Sequence, residues 1–262
     1  ILAKKYKNLF HKTPDNYGIS KKYNYYFSYM YNCLFDCKYC FLQGMYSSAN
    51  YVIFVNYEDY YKEIKKISAA NKDKRITLFS GYDCDSLAFE PVSNFMAYLI
   101  KKISKYRNID LEIRTKSTYS RLFSNKIIKN VIIAYSFTPE RFSNKYEKGV
   151  PNVYKRLKVI KMLSKLGWKI GLRFDPVIIY DGWKEDYIEL FSKVFENIDI
   201  KNLHSITFGK LRFPETIYKK LIKENMSESL FFNLEKKKNM YENSNGYTIE
   251  NFLIENLTKF ID

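Results

Sequence analysis

No apolar run in this chain approaches the ~20 residues that a transmembrane helix requires; the longest, such as VIIAYSF and PVIIY, are far shorter. The N-terminus ILAKKYKNLFHKT lacks the apolar core of a secretory signal, so a soluble, cytoplasmic protein is expected. No low-complexity segment and no internal repeat interrupts the 262 residues, which is enough chain for one core of barrel or doubly wound size. Histidine is nearly absent: His11 and His204 stand too far from other ligand types to suggest a histidine metal site or catalytic pair. Cysteine is scarce as well, and four in a chain of this length exclude a disulfide framework. Acidic residues are outnumbered, 28 Asp and Glu against 44 Lys and Arg, for a net charge of +16. That excess suits an anionic partner such as nucleic acid. It equally suits A/T-rich codon usage, because Lys, Asn, Ile and Tyr are abundant together and the lysines are spread along the whole chain.

What is present is a pattern of short apolar strands alternating with amphipathic helices. YVIFVN (51–56), RITLFSGYD (75–83), IDLEIRTKS (109–117), VIIAYSFTPE (131–140), KIGLRFDPVII (169–179) and HSITFGKL (204–211) read as strands, with YNYYFSYMYN before them. Between them PNVYKRLKVIKMLSKLG (151–167) is a strong helix, with Val153, Leu157, Ile160 and Leu163 at helical spacing, Pro at its start and Gly167 at its end. Strands and helices in this order imply an α/β fold, a partial (β/α)6 TIM-like barrel over residues 1–225, with chemistry at the carboxyl ends of the strands. The polar residues of FSGYDCD, IRTKS, AYSFT, RFDP and ITFGK fall there. Residues 226–262 are expected to form a C-terminal helical extension packed on the barrel. Trp168 and Trp183 read as core or cap residues, and the EKKKNM run as a solvated face.

Three of the four cysteines lie within eight residues, in YNCLFDCKYCFLQ: Cys33, Cys37 and Cys40, spaced C-x3-C-x2-C. Structural zinc asks for four ligands, usually in paired C-x2-C knuckles, and no such fourth ligand is spaced to serve. A thioredoxin-type pair would use Cys37 and Cys40 and leave Cys33 unexplained. An iron–sulfur cluster held by three thiolates leaves one iron open, and the spacing fits this reading best.

The triplet, with aromatic Tyr39 before its last cysteine and a strand ahead of it, resembles the radical S-adenosylmethionine superfamily. The stretches CKYCFLQ, SGYDCDSLAFEP, IRTKS and AYSFTPERFSNKYEKGVPNVYKRLKVIKMLSKLGWKIGLRFDPVIIYDGW, then SITFGKLRFP, are similar to the spore photoproduct lyase family over about residues 30 to 220. The resemblance implies a 4Fe–4S cluster on Cys33, Cys37 and Cys40. Its open iron would bind S-adenosylmethionine, whose reductive cleavage gives a 5′-deoxyadenosyl radical. An electron donor such as flavodoxin or ferredoxin is implied too. Carried over by position, Ser80 and Gly81 match the contact to the methionine amino group, Tyr39 the aromatic beside the adenine, and Asp85, Lys116 and Ser136 polar cofactor contacts. Glu147 and Arg156, around KGVPNVYKR, are read as touching the cofactor or pairing with each other.

The sequence also departs from that family. The position of the family's hydrogen-donating cysteine is Tyr82, with Cys84 two residues on as a displaced substitute, and the tyrosine of its radical relay is Phe41. The region before the cluster is shorter than in the repair enzymes. These departures favour a different branch, queuine lyase, which would release 7-aminomethyl-7-deazaguanine from a free modified base for queuosine salvage. Asp83, Asp175 and Glu140 are then candidates to receive a guanine-like edge, and Arg114 and Arg173 to bind the diol or base carbonyl. Asp175 reads alternatively as a turn residue before Pro176, and Arg173 as its ion-pair partner. The rival readings are a DNA-lesion lyase with Cys84 as donor, and a non-catalytic metal-cluster protein that binds nucleic acid.

Overall fold

The computed structural model describes residues 1–14, 23–123, 126–224, 229–231, 234–243 and 246–261. Its centre is a seven-stranded sheet built from the segments richest in β-branched and aromatic residues: β1 (Phe10–Lys12), β2 (Asn24–Phe27), β3 (Ile76–Ser80), β4 (Ile109–Thr115), β5 (Val131–Ser136), β6 (Lys169–Val177) and β7 (Leu203–Lys210). The strands lie in chain order, β7-β6-β5-β4-β3-β2-β1. All neighbours pair in parallel except β1, which runs antiparallel to β2. Six parallel strands joined through helices make the expected partial (β/α)6 barrel.

Helices α1 (Tyr57–Ala70), α2 (Phe95–Ile103), α4 (Val153–Leu166) and α5 (Trp183–Phe195) join successive strands, and the short α3 (Glu140–Tyr146) stands between β5 and α4. In α4 the side chain of Asn152 accepts the Lys155 N–H at 2.9 Å and so caps the start, and Gly167 closes the end at φ +92°. The predicted stripe of Val153, Leu157, Ile160 and Leu163 is buried against the sheet, and Arg156 is buried on the same stripe. Trp168 packs edge-on against Phe123 in this core, and Trp183 contacts Tyr187 and Phe252. Among the described residues no helix is long and apolar enough to cross a membrane.

Two expectations need correcting. Val52–Phe54, expected among the barrel strands, lies outside the main sheet, where it pairs in parallel with Leu2–Ala3 and antiparallel with Met30–Tyr31. The C-terminal segment is not wholly helical: Leu234–Lys237 and Met240–Asn243 form antiparallel strands that continue onto Arg212–Pro214. The boundary placed between 225 and 226 lies outside the described residues. Beyond it, α7 (Gly246–Thr258) buries Ile249, Leu253 and Leu257 in the barrel core. A second apolar cluster unites Leu211, Phe213, Tyr218, Leu221 and Phe231 with Cys37 and Tyr39. In this cluster α6 (Glu215–Glu224) lies against the single helical turn Leu42–Met45, and a Cβ on Gly44 would come within 3.0 Å of Ile217. The cysteine loop is thus sandwiched between the barrel mouth and the segment that follows β7.

Candidate radical-chemistry site

The loop carrying Cys33, Cys37 and Cys40 follows Met30–Tyr31 and is fastened to the segment after α3. Asp36–Cys37 pairs antiparallel with Glu147–Lys148, and the Lys38 N–H donates to the Tyr146 carbonyl at 2.9 Å. All four cysteines are free thiols. Cys33 Sγ accepts two backbone N–H groups, from Phe35 at 3.4 Å and Asp85 at 3.3 Å. Burial raises all three thiols of the triplet, Cys33 to about 12, and the Lys116 ammonium works against burial at Cys37 and Cys40. Among the described residues no three Cys, His, Asp or Glu side chains are grouped as a single ion would require. The donor set suits a polynuclear cluster, in which each thiolate binds its own iron and amide N–H groups bond to the sulfurs.

Behind the loop stands a carboxylate that the mouth of the barrel encloses completely. Glu147 accepts from Thr138 Oγ1 at 2.8 Å, Ser143 Oγ at 2.7 Å and Arg156 Nη2 at 2.8 Å, and also from the Tyr39 hydroxyl. Lys116 Nζ lies 3.8 Å from Glu147 Oε1 and 5.7 Å from the Tyr39 ring centre. Burial pushes the Glu147 carboxyl upward, but Arg156 and then Lys116 outweigh it and hold it at about 2. Arg156, itself fully buried, also donates to the Ser136 carbonyl at 2.8 Å. Of the two readings of Glu147 and Arg156, they do form a pair.

The turn after β3 is forced by Gly81, at φ +81°. A Cβ there would sit 2.6 Å from Ser86 Oγ and 3.1 Å from the carbonyls of Cys84 and Arg114. Ser80 Oγ is buried and bonded to Ser86 Oγ at 2.7 Å and the Glu112 carbonyl at 2.9 Å. Asp85 accepts four protein donors: Thr115 Oγ1 at 2.7 Å, the Lys116 N–H at 2.6 Å, and the N–H groups of Leu87 and Ala88 at 2.9 Å. Of the positions matched to cofactor contacts, Ser80, Asp85 and Tyr39 are therefore bonded within the protein. Lys116 keeps a side chain that is 14% exposed, and Ser136 is buried at the end of β5.

The other site candidates divide. Tyr82 is half-exposed, its ring 4.4 Å from that of Tyr26 and 5.6 Å from that of Phe41. Cys84, the displaced substitute, is a buried side chain. It is only 3% exposed, in the barrel core, with its thiol raised first by burial and then by nearby Cys33. Asp83 turns toward the N-terminal strands: its backbone N–H donates to Ser28 Oγ at 3.2 Å, and its charge acts on Lys5 and Tyr46. Glu140 is not at a strand end. It opens α3 and pairs with Lys193 at 3.1 Å in the outer helical layer.

Arg114 and Asp175 do meet on the barrel's inner face, at 3.7 Å. Asp175 belongs to β6 rather than to a turn, and Gly209 leaves space for it, since a Cβ there would lie 2.8 Å from Asp175 Oδ1. Arg173 pairs with a residue that the sequence reading missed, Glu112, through Nε at 3.0 Å and Nη2 at 2.6 Å, not with Asp175. Glu112 also accepts from Arg114 at 3.2 and 3.3 Å. Burial again acts to raise this carboxyl, and Arg173 and Arg114 hold it below its usual range. Two signals mark the pair in the sequence: an acid inside the apolar strand IDLEIRT, and a glycine inside KIGLRFDPV. A Cβ on Gly171 would lie 2.8 Å from Arg173 Nη2.

The spore photoproduct lyase family matches residues 13–258. Among curated relatives, spore photoproduct lyase from Geobacillus sp. (strain Y412MC61) is 22% identical over 223 residues, covering 80% of this chain and 62% of its own. That from Clostridium acetobutylicum is 25% identical over 203 residues, covering 76% and 60%. The chain therefore spans about three fifths of the length of these relatives. Among solved structures, a spore photoproduct lyase double mutant with bound AdoMet and dinucleoside spore photoproduct superposes with a TM-score of 0.78. It is 16% identical over 90% of this chain and 73% of that one. Streptococcus suis SuiB bound to S-adenosylmethionine gives a TM-score of 0.51, at 15% identity over 69% of this chain and 39% of that one.

Proposed function

From the premise that the chain belongs to the spore photoproduct lyase family, we propose that it is a radical S-adenosylmethionine lyase whose substrate is a covalently modified nucleobase. The observation that carries the reading is the cysteine loop: three free thiols at the carboxyl ends of parallel strands, with two N–H donors on Cys33 and the Lys116 ammonium acting on the other two. Cys33, Cys37 and Cys40 would hold a 4Fe–4S cluster, and Lys116 and Ser136 line the space for S-adenosylmethionine. Together these groups, when bound, supply a carbon-centred radical by reductive cleavage of a sulfonium C–S bond. The chain's own residues orient and enclose. Glu147 and Arg156 fix Tyr39 and Lys116 beside the cysteines, while Glu112 and Arg173 fix Arg114 on the inner face, where it and Asp175 offer a donor and an acceptor to a base. Tyr82 presents a half-exposed phenol at the position of the family's hydrogen donor.

For the substrate, the likeness to spore photoproduct lyases favours a spore photoproduct lesion over the queuine reading that the sequence departures put first. One observation keeps queuine as a second reading. The ring beside Tyr82 is Phe41, which has no phenolic hydrogen to pass on. Anaerobic incubation with reductant and S-adenosylmethionine, offering dinucleoside spore photoproduct and queuine in parallel, decides between them by which yields product. Turnover of neither, or full iron content and activity in Cys33→Ala, would sink the proposal.

A further inference from the structure

At the other end of the barrel, where the strands begin, lies an open cleft of about 310 Å³ lined by Lys65, Ser68, Ala69, Lys72, Tyr106, Arg107 and Asn108. It forms between the C-terminal turns of α1 and the loop that leads into β4. Its floor is rigid. Ser68 Oγ donates to Asn108 Oδ1 at 2.8 Å, and Asn108 Nδ2 donates to the carbonyls of Ser68 and Asn71 at 3.2 and 3.1 Å. The floor's side-chain polar groups thus bond to one another, so recognition falls to the walls.

The walls carry three cations and an aromatic ring, and no carboxylate. Among the described residues Lys65, Lys72 and Arg107 make no ion pair, and neither do the flanking Lys102 and Lys105. The nearby acids are occupied or set apart: Glu63 pairs with Lys66 at 3.1 Å, Asp110 with Arg75 at 2.5 Å, and Asp73 is exposed in the turn beyond Lys72. The local potential shows in Tyr61, bonded to Tyr106 at 3.4 Å and 5.3 Å from Lys102 Nζ. Its phenol is lowered first by the Tyr106 hydrogen bond and then by Lys105, Lys65 and Lys102. Cations on both walls, an aromatic side chain beside Arg107 on one of them and a volume at the lower end of ligand-site sizes match a phosphorylated nucleoside.

We propose that this cleft is a second, non-catalytic site for a nucleotide unit, whose phosphate is received by Lys65, Lys72 and Arg107 and whose base lies against Tyr106. The inference needs neither cluster nor radical, so it stands apart from the proposed reaction. The test is fluorescence anisotropy of a lesion-free, fluorescein-labelled oligo(dT) on the full chain, with and without the Cys33→Ala substitution. The triple variant K65E/K72E/R107E should bind at least tenfold more weakly, and the slope of log K against log salt should shallow by about 0.7, the share of one phosphate on a single strand. Tyr106→Ala should weaken binding about fivefold or more. The matched reversal K155E/K158E/K161E on the exposed side of α4 should leave binding unchanged. Competition by free dTMP assigns the site to mononucleotides; competition by unlabelled oligonucleotide alone assigns it to polymer. The proposal is overturned if the wild-type chain binds neither, if the cleft triple binds as wild type, or if both triples weaken binding equally.

Discussion

Two buried carboxylates organise the interior of this barrel. Glu147 and Glu112 each lie at the centre of a pair of cations, one fully buried arginine and one partly exposed partner. Around Glu147 the partner is Lys116, and the hydroxyls of Tyr39, Thr138 and Ser143 complete the shell. The Glu112 carboxylate is held instead by two guanidinium groups, and the second, Arg114, continues to Asp175. The first centre is a closed cage beside the cysteines. The second is an open chain along the inner face. A buried acid is stable in either, because each is matched by an arginine held in place by bonds of its own. What differs is the group presented at the end: an ammonium beside two of the thiols, Cys37 and Cys40, or a guanidinium and a carboxylate toward the space above the sheet.

The comparison breaks most readily at the two buried arginines. Arg156→Met and Arg173→Met each strand a buried carboxylate and should destabilise the fold by about 3–5 kcal/mol in denaturant unfolding. A much smaller loss for one of them would mean that its centre is not sealed. Acid comes next. Glu147 is held at about 2 in the folded chain, against an ordinary value of 4.5. Its stabilisation, on the order of 3 kcal/mol, is therefore complete above pH 4.5 and lost as pH falls toward 2. Glu147→Gln should be less stable at neutral pH and should flatten that acid limb. An acid limb unchanged from wild type would place the titration elsewhere.

A functional split sharpens the contrast at smaller energies. Lys116→Met should reduce iron and sulfide retention after anaerobic purification and desalting several-fold. Arg114→Met should leave both unchanged and lower turnover of the preferred substrate about tenfold. If the two variants behave alike, the centres do not serve separate tasks. The smallest effect belongs to neither centre. Glu140 and Lys193 pair on the surface with side chains about 40% exposed, so Glu140→Ala should change stability by at most about 1 kcal/mol and leave turnover unaltered.

Most of this architecture was legible in the chain. Strand segments declared themselves through apolar β-branched runs, and α4 through its period and its closing glycine, because these signals are local. The cysteine triplet was legible for the same reason. The two carboxylate centres were less so. Glu112 and Arg173 lie 61 positions apart and meet only through the register of the parallel sheet, while Tyr39 and Glu147, 108 apart, meet only because Asp36–Cys37 pairs antiparallel with Glu147–Lys148. Cys84 and Tyr82 show the limit most plainly. Both follow β3 within four residues, yet the left-handed turn at Gly81 leaves Tyr82 half-exposed while Cys84 is buried under Cys33.

By itself, then, the amino-acid order determined the strands, the helices, the thiol loop and the kind of barrel, since each depends on residues within a turn or a strand of one another. Only the tertiary structure decided which acids are buried, which cation answers each and which side chains face the mouth. A carboxylate in a low-dielectric interior is stable only where a counterion or several hydrogen-bond donors meet it, and those partners are chosen by where the fold places them, not by their distance along the chain.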